Sequence, residues 1–389
     1  MVSRREALTK IGAAAGVAAF APRIGAQAPA AGQAQAPQRR DPASVVSNPP
    51  RNFSEPATYP DPDIITHDPA FNALRVGNTP IQRLWTGAMW CEGPAWNGQG
   101  QYLVWSDIPN NRQLRWLQDS GEVTVFRQPS GNSNGNTFDH QGRQLSCEHS
   151  GRRVVRYEHD GSITVIADAY QGKRLNSPND VACHTDGSYW FTDPPYGGQI
   201  YEGMPDAAGG PSNEQGRLNA KVGQPAGSGV LKREHSNNVY RVDPSGRVDL
   251  VIDEKQFGGA PNGITFSPDY KRLYVVSRGV VFTFDVGAGH QVSNQKQFSD
   301  FTVDGVVCRT DGIRTDVFGN LWASSNAGLT IGYSGVTCWS PEGKLLGRIR
   351  LPEVCANVCF GGPKRNRLFM AAGQSLYAVY TNTQGSSPG

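Results

Sequence analysis

Apolar residues in this chain fall in short runs rather than in long amphipathic stretches. Tyr102-Leu103-Val104-Trp105 and Leu273-Tyr274-Val275-Val276 are bounded on both sides by Gly, Asn, Asp or Pro. Such runs read as strands separated by turns, and Lys-, Glu- and Leu-rich helical segments are scarce, so the pattern predicts an all-β protein. One motif recurs in step with the strands. Its copies are Glu92-Gly93-Pro94-Ala95-Trp96, Asn134-Gly135-Asn136-Thr137-Phe138, Asn179-Asp180-Val181-Ala182-Cys183, Asn262-Gly263-Ile264-Thr265-Phe266, Asp311-Gly312-Ile313-Arg314-Thr315 and Ala356-Asn357-Val358-Cys359-Phe360. Their starts lie 42, 45, 83, 49 and 45 residues apart, and polar turns such as Asp139-His140-Gln141-Gly142, Thr185-Asp186-Gly187 and Ser267-Pro268-Asp269 follow them. A period of roughly 40–50 residues holding several strands predicts a six-bladed β-propeller, with about 35–40 residues inserted in the third unit.

That register fixes the remaining boundaries. The propeller is expected over residues 60–382, with a tail at 383–389 and the insertion at about 197–236. The insertion is too Gly-rich for a regular element and leaves from the face carrying Asp193; a lid, a dimer contact and a disordered loop all remain open for it. A segment that includes Ile81-Gln82-Arg83-Leu84 precedes the first unit. It is expected to supply the outer strand of the last blade and so close the ring without an open edge.

Composition changes the picture mainly at the N-terminus. Ser3-Arg4-Arg5-Glu6-Ala7-Leu8 has a twin-arginine pattern, and the apolar stretch Ile11 to Phe20 is too short to span a bilayer. Residues 1–28, ending at Ala26-Gln27-Ala28, are expected to be an export signal for the twin-arginine machinery. The destination is then periplasmic or secreted, without stable membrane insertion. Residues 29–59 are Pro-, Ala- and Gln-rich and read as a linker. The 389-residue chain carries 37 Lys and Arg against 34 Asp and Glu. Without residues 1–28, which hold Arg4, Arg5, Lys10, Arg23 and Glu6, the balance is 37 − 4 = 33 against 34 − 1 = 33. A near-neutral surface gives no grip on nucleic acid. The seven cysteines fit no zinc spacing and are expected to be mostly buried free thiols.

In a propeller the innermost strands line a central channel, so the first position of each repeat should ring one of its mouths. Those positions are Glu92, Asn134, Asn179, Asn262, Asp311 and Ala356. Two carboxylates and three amide oxygens on one axis suit a hard divalent cation, Ca2+ above all, with Zn2+ or Mg2+ as alternatives. The absence of His and Cys from the ring argues against a dedicated zinc site. Asn and Asp before Gly are also ordinary turn residues. A second set, Asp107, His149, Asp193, Arg278 and Asn326, lies 14–16 residues after the anchors. Each follows the second strand of its repeat and should return to the same mouth, where it could meet a substrate; His149 could equally be structural. Serine-hydrolase, zinc-protease and phosphate-loop motifs do not occur.

With Glu92-Gly93-Pro94, Asn179-Asp180, Pro261-Asn262-Gly263 and Asp311-Gly312 with Gly319-Asn320-Leu321-Trp322 in order at blade spacing, the chain resembles the gluconolactonase/regucalcin (senescence marker protein) family over about residues 70–380. Leu175-Asn176-Ser177-Pro178-Asn179-Asp180 and Phe191-Thr192-Asp193-Pro194-Pro195-Tyr196-Gly197 look closest to its bacterial gluconolactonases. The resemblance implies a divalent cation, usually calcium, in the channel, with Glu92, Asn179, Asn262 and Asp311 as its shell. It also implies hydrolysis of a sugar lactone of the glucono-1,5-lactone type to the aldonic acid. Where regucalcin carries a substrate-binding arginine, this chain has Ser177, with Arg174 nearby. The expected mechanism is metal-assisted water attack, with Asp311 or Glu92 taking the proton and Asp193 as second choice. Asn179 and Asn134 are expected to contact substrate, with His149, Asp107, Arg278 and Asn326 in the outer ring. Rival readings are another lactone or organophosphate hydrolase on the same site, a non-catalytic calcium-binding propeller, and a strictosidine-synthase-like enzyme.

Overall fold

The structure is a computed structural model that describes residues 51–198, 233–328 and 330–386. The twin-arginine segment 1–28, the linker as far as residue 50, residues 199–232 of the insertion and the last three residues lie outside the described residues. Six antiparallel sheets follow one another along the chain. Blade 1 spans Cys91–Arg127, blade 2 Ser133–Ala167, blade 3 Val181–Ile252, blade 4 Pro261–Gln297, blade 5 Ile313–Arg350 and blade 6 Cys355–Tyr380. This is the six-bladed propeller that the repeat predicts. The insertion separates the second strand of blade 3, Tyr189–Asp193, from the third, Asn238–Val242. Among the described residues no helix is long and apolar enough to cross a membrane.

Closure is made by chain that precedes blade 1. Gln82–Thr86 pairs with Ser375–Tyr380 as the outer strand of blade 6, with Gln82 opposite Ala378. Ile64–Thr66 adds a fifth, outermost strand to blade 5, with Ile64 opposite Ile349. The folded body also reaches beyond both expected boundaries. Arg51 pairs with Asp61 at 2.7 Å and Phe53 packs on Tyr377, so part of the stretch read as linker is folded against the blades. At the other end the Val317 and Ser386 amides bond the Gln384 and Thr315 carbonyls, which docks the start of the tail on blade 5. The half-buried Arg51 and Phe53 make the N-terminal contacts, and composition averages over them.

The core sits between blades. Trp105 and Phe369 belong to the cluster joining blades 1 and 6, and Trp322 packs edge-on against Phe360 at 5.7 Å between blades 5 and 6. Trp190 of blade 3 does the same with Phe266 of blade 4 at 5.3 Å. A buried tryptophan removes roughly 200 Å² from water, about 5 kcal/mol before entropy is charged. The interface of blades 1 and 2 is different: the Gln113 amide donates to Ser133, Asn136 and Ser146 side chains in a buried polar network. All seven cysteines are free and buried. Burial pushes the thiols of Cys91, Cys147 and Cys355 well up, so these are packing residues rather than nucleophiles.

The innermost strands converge so tightly that the residue after each anchor is usually glycine. A Cβ on Gly135 would lie 2.5 Å from the Asn179 carbonyl, to which the Gly135 amide bonds at 2.7 Å. Gly93 adds a left-handed φ of 51° to the same crowding. Gly135→Ala is therefore expected to cost about 1–3 kcal/mol by overpacking and to displace Asn134 and Asn179 together. Chemical denaturation checks it; unchanged stability would show that the inner strands can spread.

Candidate functional site at the channel mouth

Irregular pairing aims the ring residues. The register of the innermost strands slips between Glu92 and Ala95, Ser133 and Asn136, Pro261 and Ile264, and Cys355 and Asn357. A bulge lets one strand end re-aim a side chain while the rest of the ladder continues, which is why bulges gather beside active sites. In blades 3 and 5 regular pairing begins only at Val181 and Ile313, after Asn179 and Asp311. Glu92, Asn134 and Asn179 are buried, whereas Asn262 and Asp311 remain half-buried toward the mouth.

The structure brings Glu92, Asn262 and Asp311 together. Glu92 accepts the Gly93 amide at 2.8 Å and the Asn357 side chain, and Asp311 accepts the Asn262 side chain. Burial, then Asp311 and Asp180 nearby, hold the Glu92 carboxyl well above its usual range. Burial and Asp180 push Asp311 up to about 7. Three carboxylates thus share one poorly hydrated space. Among the described residues Arg314 faces them and donates to Asp180 at 3.3 Å. Asn134 points its amide nitrogen at His149 Nε2, 3.4 Å away, which places that imidazole at the edge of the ring. Asn179 is placed through its backbone: its amide bonds the Thr192 carbonyl at 2.9 Å, and its carbonyl receives Gly135.

The outer set divides. Asp107 is fully buried; it accepts the Met89 and Trp90 amides at 3.0 and 3.3 Å, Asn110 at 2.7 Å and Arg112 at 2.9 Å. Asp193 accepts the Asn176 and Ser177 amides at 2.8 and 2.9 Å. Both carboxylates therefore hold the loop that delivers the ring residue, Glu92 in one case and Asn179 in the other. Burial raises the Asp193 carboxyl to about 7 in spite of those two bonds. Arg278 is exposed in a left-handed conformation and packs along Gly258 and Gly259, the loop ahead of Asn262. Asn326 caps a turn by accepting the Gly328 amide at 2.8 Å. The geometry thus gathers His149 at the ring and gives Asp107, Asp193, Arg278 and Asn326 contacts in the surrounding loops.

Asp193→Ala leaves two buried backbone amides without an acceptor. It is expected to cost roughly 2–6 kcal/mol, at 1–3 for each amide, and to loosen Asn179. Denaturant unfolding together with turnover tests this. Lost turnover at unchanged stability would instead make Asp193 a direct participant in the chemistry.

Three residues at the site, Asp180, Asn357 and Tyr196, were not singled out from sequence. Asp180 and Asn357 occupy the position after the anchor, where the other four repeats have Gly93, Gly135, Gly263 and Gly312. They belong to blades 3 and 6, on opposite sides of the channel, and that break in the glycine pattern was their signal. Ser177, where a substrate arginine would stand, donates to the Pro194 carbonyl at 2.6 Å and accepts the Gly197 amide at 2.9 Å. It pins the segment carrying Tyr196, whose hydroxyl is pushed up by burial and by Asp311 and so shares the mouth with that carboxylate. Arg174 instead bonds the Gly151 carbonyl from an exposed position.

Residues 90–374 match the family described as SMP-30/Gluconolactonase/LRE-like region. The chain belongs to this family. It is 28% identical over 347 residues to a gluconolactonase of Zymomonas mobilis, covering 83% of this chain and 87% of the relative. The solved structure of a gluconolactonase from Xanthomonas campestris is 31% identical, with a TM-score of 0.68 over 86% of this chain and 99% of the other. A pentonolactonase of Haloferax volcanii is 24% identical, covering 72% of this chain and 80% of the relative.

Proposed function

We propose that this protein hydrolyses a sugar lactone of the glucono-1,5-lactone type to its aldonic acid, using a divalent cation held by Glu92, Asn179, Asn262 and Asp311. Its relatives support lactone hydrolysis as the reaction class. The observation that carries the rest is the meeting of Glu92, Asp311 and amide side chains in one half-enclosed mouth. The donor set fits the ion: it is made of oxygen alone, and among the described residues its carboxylates outnumber the cations that face them, a deficit a divalent cation fills. Oxygen donors on several blades favour Ca2+ over Zn2+. When bound, the cation supplies Lewis-acid polarisation of the lactone carbonyl.

The chain's own residues do the rest. Asp311, half-open to the mouth and held by Asn262, takes the proton from the attacking water. Glu92 is fixed by Gly93 and Asn357 and supplies charge at the channel wall. Asn134, backed by His149, and Tyr196 offer hydrogen bonds to the ring hydroxyls of a sugar. The position of Ser177 in place of an arginine removes one charged substrate contact. The N-terminal twin-arginine pattern supports periplasmic or secreted work; fractionation of cells that make the full chain tests it against an Arg4→Lys, Arg5→Lys variant.

Ring opening of glucono-1,5-lactone, followed with a pH indicator against the uncatalysed background, tests the assignment. Chelator-stripped protein is expected to regain turnover with Ca2+, and Glu92→Gln to lose it. Absence of turnover with Ca2+, Zn2+ and Mg2+ alike would overturn the sugar-lactone assignment.

A further inference from the structure

The far end of the propeller holds a second constellation that the lactone site does not use. The turn His184–Ser188 follows the innermost strand of blade 3, Val181–Cys183, so it lies at the opposite end of that strand from Asn179. In it His184 Nδ1 stands 2.9 Å from Asp186 Oδ1. His290, from the connection between the third and fourth strands of blade 4, places Nε2 2.9 Å from Asp186 Oδ2. The three donor atoms all lie within 4.8 Å of one another.

The conformation of His290 sets this apart from an ordinary surface ion pair: it is held at a left-handed φ of 62°, and its Nδ1 is buried without a partner, so Nε2 is its polar anchor. A non-glycine residue in that region is kept there by its surroundings, and the surroundings here are Asp186 and the rings of His184 and Trp190.

We propose that His184, Asp186 and His290 form a second site, for a first-row divalent transition metal of the Zn2+ or Co2+ class, that staples blade 3 to blade 4. Two imidazoles and one carboxylate on one side of an ion, with the other side open, are the donor set of such metals and not of calcium. His184 Nδ1 and His290 Nε2 each lie 2.9 Å from an oxygen of Asp186, and the donor atoms, all within 4.8 Å of one another, are close enough to share one ion after small side-chain adjustments. Asp186 is oriented by the Ser188 amide and hydroxyl at 2.9 and 2.7 Å, the outer support that metal carboxylates carry. Arg241 reaches Asp186 Oδ2 at 2.9 Å and competes for it, but its other nitrogen already faces Asp249 at 3.3 Å, to which it can turn.

Chelator-stripped full-length protein titrated with Co2+, followed by visible absorption and calorimetry, decides the matter. The expected result is one Co2+ equivalent with an imidazole-type absorption band that His290→Ala and His290→Gln both abolish and Asp311→Asn retains. Both His290 variants should keep wild-type lactone turnover, because His290 lies outside the channel mouth, and should lose the rise in melting temperature that Zn2+ gives the wild type. The proposal is overturned if the His290 variants bind Co2+ with the wild-type stoichiometry and spectrum, or if Asp311→Asn abolishes all Co2+ uptake.

Discussion

Asp311→Asn is expected to lower kcat for lactone hydrolysis by about 10²–10⁴-fold, the usual contribution of a positioned general base. The substitution keeps the shape of the side chain and an oxygen for the Asn262 bond, but it cannot take a proton. Stability should not fall with activity. The carboxylate it removes is one that burial and the Asp180 charge disfavour, so the melting temperature of the cation-free variant should equal or exceed that of the wild type. Turnover measured at saturating Ca2+, with bound calcium counted, separates the two roles assigned to this residue. Lost turnover with calcium still bound identifies the base. Full turnover with calcium bound would remove Asp311 from the proton transfer and leave Glu92 as the candidate. Loss of calcium itself would make the residue chiefly a ligand.

The propeller was legible because its repeat carries two signals at once, an oxygen-bearing anchor and a glycine behind it. Both come from one geometric fact, the crowding of innermost strands where Gly135 touches Asn179. The same fact explains what escaped. In the sixth repeat the anchor register lands on Ala356, which is fully buried, while the slip between Cys355 and Asn357 lets Asn357 reach Glu92. A bulge shifts which residue faces the channel, and no periodicity records it. The outer set shows a different limit. Spacing places Asp107, Arg278 and Asn326 at strand ends, but direction depends on local φ and on which amides need an acceptor. Arg278, at φ 54°, lies along its own loop, and Asp107 takes up two backbone amides. Folded chain at both ends was hidden because Arg51 and Phe53 stand within a stretch whose average composition is that of a tether.

Removing the cation should make stability depend on pH in a way that adding it cancels. Asp311 sits at about 7 in the folded protein against 3.8 for the free side chain, and Glu92 is displaced in the same direction. Asp311, raised in this sense, binds more protons folded than unfolded between about pH 4 and pH 7, so its contribution is fully present below about 4 and is lost as pH rises through 7. Glu92 acts in the same direction. On the proposed calcium site the ion would bind the ionised ring, so it should raise the melting temperature strongly near pH 8 and weakly near pH 5. Asp193 also sits at about 7, but it lies in the loop clamp and affects the calcium-free and calcium-saturated curves alike. The difference between those curves therefore reports the channel mouth. Calorimetric scans with chelator and with excess Ca2+ measure it, and Asp311→Asn should flatten the difference. An equal calcium shift near pH 5 and pH 8 would mean that the ion binds somewhere other than these carboxylates, and the electrostatic reading of the ring would fall with it.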